Sequence, residues 1–185
     1  MAKKREGMTT LYLVRHGETV DNARMVMQGQ TQGALNEEGI RQAEALAERF
    51  RKIAIDVFVA SDLKRSVDTC RILAAVHGKD VVQTALLRER DWGSFTGRYI
   101  PDLKDEVWPD DIETLDALQE RARNFLDEIA KKYHGQRVLA VGHGIINKAI
   151  QAVHFGKSMR DVKKMSNCEV RILQIIDSAG SAQPR

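Results

Sequence analysis

Short apolar runs alternate with longer stretches of helical periodicity along this chain, and that alternation leaves few architectures open. Residues 10–14 (TLYLV), 56–62 (DVFVASD), 80–84 (DVVQT), 137–143 (RVLAVGH) and 169–176 (EVRILQII) read as strands, the third being the weakest. Helices are predicted over 37–52, 63–76, 115–133 and 145–155. In the first, Asn36 stands where a cap belongs and Glu37 and Glu38 suit the electropositive first turn. Ile40, Ala43, Ala47 and Phe50 recur at the spacing that gives it one buried face. Ser61 or Asp62 is expected to cap the second helix, and Gly78, Gly135 and Gly156 to stop the later ones. Leu115, Leu118, Ala122, Phe125, Leu126 and Ile129 line one face of the third. Residues 85–114, with Gly93, Gly97, Pro101 and Pro109 and no sustained period, are expected to be loop with one helical turn. The pattern as a whole predicts an α/β fold, a mostly parallel sheet with helices on both faces.

Length and charge narrow the class. At 185 residues the chain suits a single domain, 1–185, with 1–9 and 178–185 as loose ends. No apolar run approaches the ~18–20 residues of a membrane span, so no membrane partner is expected. The basic N-terminus lacks the apolar stretch of a secretory signal. Cys70 and Cys168 are far apart and without metal-ligand spacing, which points to reduced thiols and a cytoplasmic location. A net charge of +3, from 29 Lys and Arg against 26 Asp and Glu without a basic run, does not imply a nucleic-acid partner. Oligomeric state leaves no mark in the sequence.

Two of the strands end alike. LVRHGE at 13–18 and AVGHG at 140–144 each run from an apolar stretch into a histidine followed by glycine. Ligands of such sheets bind at the carboxyl ends of the strands, so His16 and His143 meet if their strands are neighbours. The glycines, Gly17 and Gly144, let backbone N–H groups approach a ligand. His77, His134 and His154, near helix ends, read as structural. Arg15 beside His16, and Arg65 at the start of a helix, suit a bound phosphate through bidentate hydrogen bonds and the helix dipole. Alone, Arg65 reads better as part of a solvated helix face, and Asn22 as a turn residue. No HxH, HExxH or CxxC spacing is present, and two arginines would repel a metal cation. No GxSxG elbow supports a serine hydrolase. A neutral imidazole facing a phosphate dianion among cations points to histidine as nucleophile.

These residues also carry a family resemblance. LVRHGET with Asn22, QG at 28–29, LNEEG at 35–39, SDLKRSVDT at 61–69, LRERDWGSFTG at 87–97, VGHG at 141–144 and SNCEV at 166–170 resemble, in order, the blocks of the histidine phosphatase superfamily, the phosphoglycerate-mutase-like group. The resemblance implies a three-layer α/β/α sandwich on a mixed, mostly parallel sheet. It implies that His16 becomes a phosphohistidine, that Arg15, Asn22, Arg65 and His143 form the phosphate pocket with Gly144 among the substrate-binding residues, and that Glu89 protonates the leaving oxygen and then activates water. Without it, Glu89 would read as a surface partner of Arg88 or Arg90. Gln28, Gly29 and Trp92 fall where members contact the rest of a small phosphorylated substrate, and neither metal nor other cofactor is implied.

Three departures narrow the choice within the family, and the first two favour the phosphatase branch over the mutases. Ile100 stands where mutases of this type place a lysine. Only 45 residues separate Gly97 from His143, too few for the mutases' insertion with paired arginines. DIETLD at 111–116 replaces the GES of many phosphatase members, which removes the substrate contact expected there. A mutase, or a phospho-ligand binding module on the same fold, are the alternatives.

Overall fold

The computed structural model describes residues 7–176. Five strands, β1 (Met8–Arg15), β2 (Val57–Ser61), β3 (Val81–Thr84), β4 (Arg137–Gly142) and β5 (Val170–Ile176), form one sheet in the order β3-β2-β4-β1-β5. The first four in that order are mutually parallel and β5 runs antiparallel to β1. The N-terminal expectation is corrected at its inner end: β1 begins at Met8, paired with Ile176, and Thr9 is buried opposite Ile175 with its hydroxyl donating to the Tyr133 carbonyl. Pairing with β5, which no local pattern shows, orders these two residues. Residues 1–6 and 177–185 lie outside the described region, and the expected loose tail at 178–185 falls there.

Helices cover both faces, as the sequence predicts. One core lies under α2 (Glu37–Phe50) and α3 (Lys64–Ala75), which bring Leu46, Phe50, Val67 and Leu73 against Phe58, Leu139 and Val141 of the sheet. The other lies under α4 (Leu115–Lys132) and α5 (Gly144–Phe155), where Leu118, Phe125, Ile129, Ile146 and Ile150 meet Leu11, Leu13, Val138 and Leu173. Burying apolar area on both faces is what holds an all-but-parallel sheet together. A four-residue helix, α1 (Val20–Ala23), capped by Thr19, follows β1 and is too short to leave a periodic signal.

Local details differ from expectation where a distant partner intervenes. Asn36 caps α2 as foreseen, its Oδ1 accepting from the Gly39 amide at 2.8 Å. Ile40 and Leu115 are exposed rather than buried, and Leu46 takes the inward position. The cap of α3 is neither Ser61 nor Asp62. Gln32 receives the Lys64 amide on its Oε1 at 3.0 Å, while Asp62 is engaged by Arg88 through two hydrogen bonds of 2.8 and 2.6 Å. Residues 85–114 contain three 3₁₀ turns, at Ala85–Leu87, Gly93–Phe95 and Ile100–Leu103, instead of one. They enclose a small core of their own, in which Phe95, Leu103 and Ile112 pack with Met27 and Trp92.

Candidate active site

Sheet register brings the two histidines together. β1 pairs with β4 so that Arg15 faces Gly142, and the His16 amide donates to the Gly142 carbonyl at 3.1 Å. One residue further on, the His16 and His143 rings lie edge to face with centroids 5.1 Å apart. The turn after His16 is tight because two glycines meet there. A Cβ on Gly17 would come within 2.5 Å of the Gly39 carbonyl oxygen, and one on Gly39 would collide with the Glu18 carbonyl. The start of α2 therefore presses on the loop that carries the histidine.

His16 is 3% exposed, and its Nδ1 lies 2.7 Å from the Gly17 carbonyl oxygen. A carbonyl can only accept, so Nδ1 carries the proton and Nε2 keeps its lone pair. Burial, with Arg65 and then Arg15 nearby, holds the imidazole well below its usual pKa, against a smaller upward pull from the Gly17 bond. His143 is fully buried and also held well below the usual value, by burial first and then by Arg65 and His16. Both rings are neutral at pH 7 while no anion is bound.

The cations are arranged to be only half satisfied. Arg65, 1% exposed, spends its Nη atoms on the carbonyls of Thr31 (2.5 Å) and Gly29 (2.7 Å), and burial pushes its pKa down to about 10. Arg15 spends Nη1 on the Met165 carbonyl at 2.7 Å. Left over are the Nε atoms of Arg15 and Arg65 and both ring nitrogens of His143, all buried and all without a partner among the described residues. Four orphaned polar atoms from three residues at neighbouring strand and helix ends are costly unless a ligand satisfies them.

Glu89 meets neither Arg88 nor Arg90 side chains. Its carboxylate accepts from the amides of Ile145 (3.1 Å) and Ile146 (3.1 Å) and from its neighbour Arg90 (2.8 Å). It thus caps α5, whose own N-cap residue His143 offers no side-chain cap. The Glu89 loop is tied from behind by Arg121 of α4, which donates to the carbonyls of Leu86 and Arg88 and grips the Glu113 carboxylate at 3.0 and 2.8 Å. Glu113, of the departing DIETLD block, serves this tie and does not face the cleft.

A cleft of about 190 Å³ opens over these groups. Arg15, His16, Asn22, Gln28, Gly29, Arg65, Glu89, Trp92 and Gly144 line it, and His143 sits behind His16 rather than on its surface. Asn22 Oδ1 accepts from the Thr19 amide at 3.2 Å and Gln28 Oε1 from the Thr19 hydroxyl at 2.9 Å, which leaves the amide NH₂ groups for a ligand. Ile100 lines the cleft as well. Three contributors escaped sequence reasoning: Lys164 in the lining, Asn167, whose Nδ2 donates to the His16 carbonyl at 3.0 Å, and Thr69, whose hydroxyl accepts from the Gly17 amide at 3.0 Å. Asn167 and Thr69 had a signal, in SNCEV and SDLKRSVDT, and Lys164 had none. Among the described residues no group of three or more His, Cys, Asp and Glu could hold a metal, and no helix is long and apolar enough to cross a membrane.

The comparisons with known proteins agree with this geometry. A model of the histidine phosphatase superfamily (branch 1) matches residues 11–183. A metal-independent phosphoserine phosphatase of Arabidopsis thaliana is 38% identical over 160 residues, covering 77% of this chain and 67% of that protein. The phosphoglycerate mutase-like protein 4 of the same plant is 33% identical over 184 residues, covering 90% and 80%. A mycobacterial glucosyl-3-phosphoglycerate phosphatase superposes with a TM-score of 0.82 at 25% identity, over 90% of both chains.

Proposed function

The chain belongs to the histidine phosphatase superfamily, branch 1, and on that premise we propose that it hydrolyses small phosphomonoesters through a phosphohistidine on His16, without a metal. The observation that carries the reading is the set of orphaned buried polar atoms, the Nε–H donors of Arg15 and Arg65 and the ring nitrogens of His143, beside an imidazole with a free Nε2. A phosphoryl group before His16 can accept from both arginine Nε–H groups and from one ring N–H of His143. Its charge spreads over three equatorial oxygens during transfer, and preorganised cations stabilise that charge without rearranging. Positive charge that a metal would supply is already built in.

The steps follow from the groups present. His16 Nε2 attacks phosphorus in line, the P–O ester bond breaks, and the leaving oxygen takes its proton from the Glu89 carboxyl. Water then attacks the phosphohistidine and gives its proton to the Glu89 carboxylate. Inorganic phosphate departs with His16 neutral and ready again. His143, neutral in the empty site, can take up a proton when the dianion arrives, because an adjacent negative charge reverses the repulsion from the arginines.

A cleft of about 190 Å³ lies below the ~300–1,000 Å³ of drug-sized ligand sites, which favours a small metabolite over a macromolecular substrate buried at length. The relative that acts on phosphoserine supports the same size class. Ile100, half-exposed on the cleft wall, cannot hold an anion as the lysine of mutases does. The test is to incubate the purified chain with 3-phosphoglycerate, phosphoserine and other phosphorylated metabolites and to follow both phosphate release and isomer formation. Free phosphate from at least one of them is expected. Interconversion of 3- and 2-phosphoglycerate with negligible phosphate release would install a mutase in its place.

A further inference from the structure

One cation of the cleft has no part in the steps above. Lys164 lies in the segment between a 3₁₀ turn, Met159–Asp161, and β5. The segment is pinned on either side of it, by Val162 (8% exposed) and Met165 (1% exposed), and by the Met165 carbonyl that accepts from Arg15. With those two turned inward, Lys164 is turned outward along the cleft wall. Its Cε stands 3.3 Å from the position of a Cβ on Gly144, and Arg15 Nε stands 3.6 Å from the same point. Lys164 has no hydrogen bond or ion pair with any described residue. Partial enclosure by the wall, and then Arg15, bring its pKa below the usual lysine value.

The position relative to the floor decides what such an ammonium is for. His16, Arg65 and His143, which converge on the phosphoryl group, are buried, whereas Lys164 is exposed. Lys164 and His16 line the same cleft, so an ester seated with its phosphorus before His16 leaves its carbon skeleton in a cleft whose wall carries Lys164. Resting on the phosphatase reading, we propose that Lys164 is a specificity-determining residue that pairs with a carboxylate carried by the substrate two or three atoms beyond the ester oxygen. The cation that the mutase pattern places at Ile100 is supplied here from another wall of the cleft. The substrate class is then a phosphorylated hydroxy or amino acid rather than a simple alcohol phosphate or a sugar phosphate.

Binding to the His16→Ala chain separates this inference from the catalytic reading, because it requires no turnover. Glycerol 3-phosphate and 3-phosphoglycerate differ only in a hydroxymethyl group against a carboxylate. Calorimetry should give a preference of about tenfold or more for 3-phosphoglycerate when Lys164 is present, typical of a charge-assisted contact at a partly enclosed site. Lys164→Met should weaken both ligands but erase most of that preference, and Lys164→Arg should restore most of it. A ratio of affinities near one in the parent, equal weakening of both ligands in Lys164→Met, or no binding of either at millimolar concentration overturns the assignment. If the unaltered chain releases no phosphate from any ester while the ratio behaves as expected, the phosphatase reading fails and the carboxylate site stands.

Discussion

The floor and the rim of the cleft are built on different principles. His16, Arg65 and His143 on the floor are between 0 and 3% exposed and hang from strand ends and one helix start, over the two large cores of the molecule. The rim takes Trp92 and Ile100 from residues 85–114, a segment of short 3₁₀ turns over a three-residue core, in which Trp108, behind Trp92, is 55% and Val107 93% exposed. Trp108 packs edge to face against Trp92, with centroids 5.6 Å apart, and the Arg90 guanidinium lies over both rings. A rigid, desolvated floor is what charge stabilisation in a transition state requires, since a mobile donor would have to reorganise at each turnover. A thinly packed rim suits the ground-state selection of one carbon skeleton over another. Reaction chemistry and substrate choice are thereby assigned to different parts of the chain, and the assignment can be broken.

The largest expected effect is on the floor. His16→Ala should lower turnover by about 10⁴-fold or more, as loss of a nucleophile does elsewhere, while the melting temperature stays within a few degrees. The unaltered chain should also acquire acid-labile phosphate that the variant lacks. Residual activity within about tenfold of the parent would remove His16 from the chemistry. Glu89→Gln should follow, with a loss of ~10²–10⁴-fold for alkyl phosphates and much less for aryl phosphates, which leave without a proton. Equal losses across leaving groups would reduce Glu89 to its role as the cap of α5.

Stability against pH probes the floor without substrate. His16 and His143 are both held below their unfolded pKa, so below about pH 6.5 the unfolded chain binds protons that the folded chain does not. Each histidine should then cost roughly 1.4 kcal/mol per pH unit, until the folded imidazole itself takes a proton. Urea unfolding between pH 7.5 and 5.5 should show stability falling as pH falls, and His143→Asn should make that slope shallower. A slope unchanged by the substitution would mean that His143 is not buried neutral.

Smaller effects belong to the rim. Trp108→Ala removes the ring that packs on Trp92 and Phe95. It should raise KM several-fold and change kcat by less than about twofold, the mark of uniform binding lost. A fall in kcat matching that of floor variants would erase the distinction between the two regions. The smallest expected effect is that of chelation. Prolonged EDTA treatment should leave activity unaltered, and loss reversed by a divalent cation would overturn the mechanism.

Much of this site is legible in one dimension because its signals are local. The apolar runs ending in His16-Gly17 and His143-Gly144, the Asn36 cap and the helix faces all depend on neighbours within a turn or two, which periodicity records. Asn36 bonds the amide three residues on. Family resemblance extended this reach to Glu89 and Asn22, whose types alone would have placed them in a surface ion pair and a turn. The contacts that escaped span long separations. Gln32 capping α3, Arg121 tying down the Glu89 loop and Asn167 holding the His16 carbonyl join residues 32, 33 and 151 positions apart.

What the amino-acid sequence determined alone was which residue types stand at the carboxyl ends of strands, and therefore that a cationic, histidine-bearing crevice would form wherever those ends met. That they do meet was decided by sheet order, which inserts β4 between β2 and β1 and sets Arg15 opposite Gly142. The same packing places Glu89 on the amides of α5 and Lys164 on the wall of the cleft. A strand's period says which side chains point to one face. Which other strand supplies the neighbour depends on burying both faces of the whole sheet at once, and that balance exists only in the folded chain.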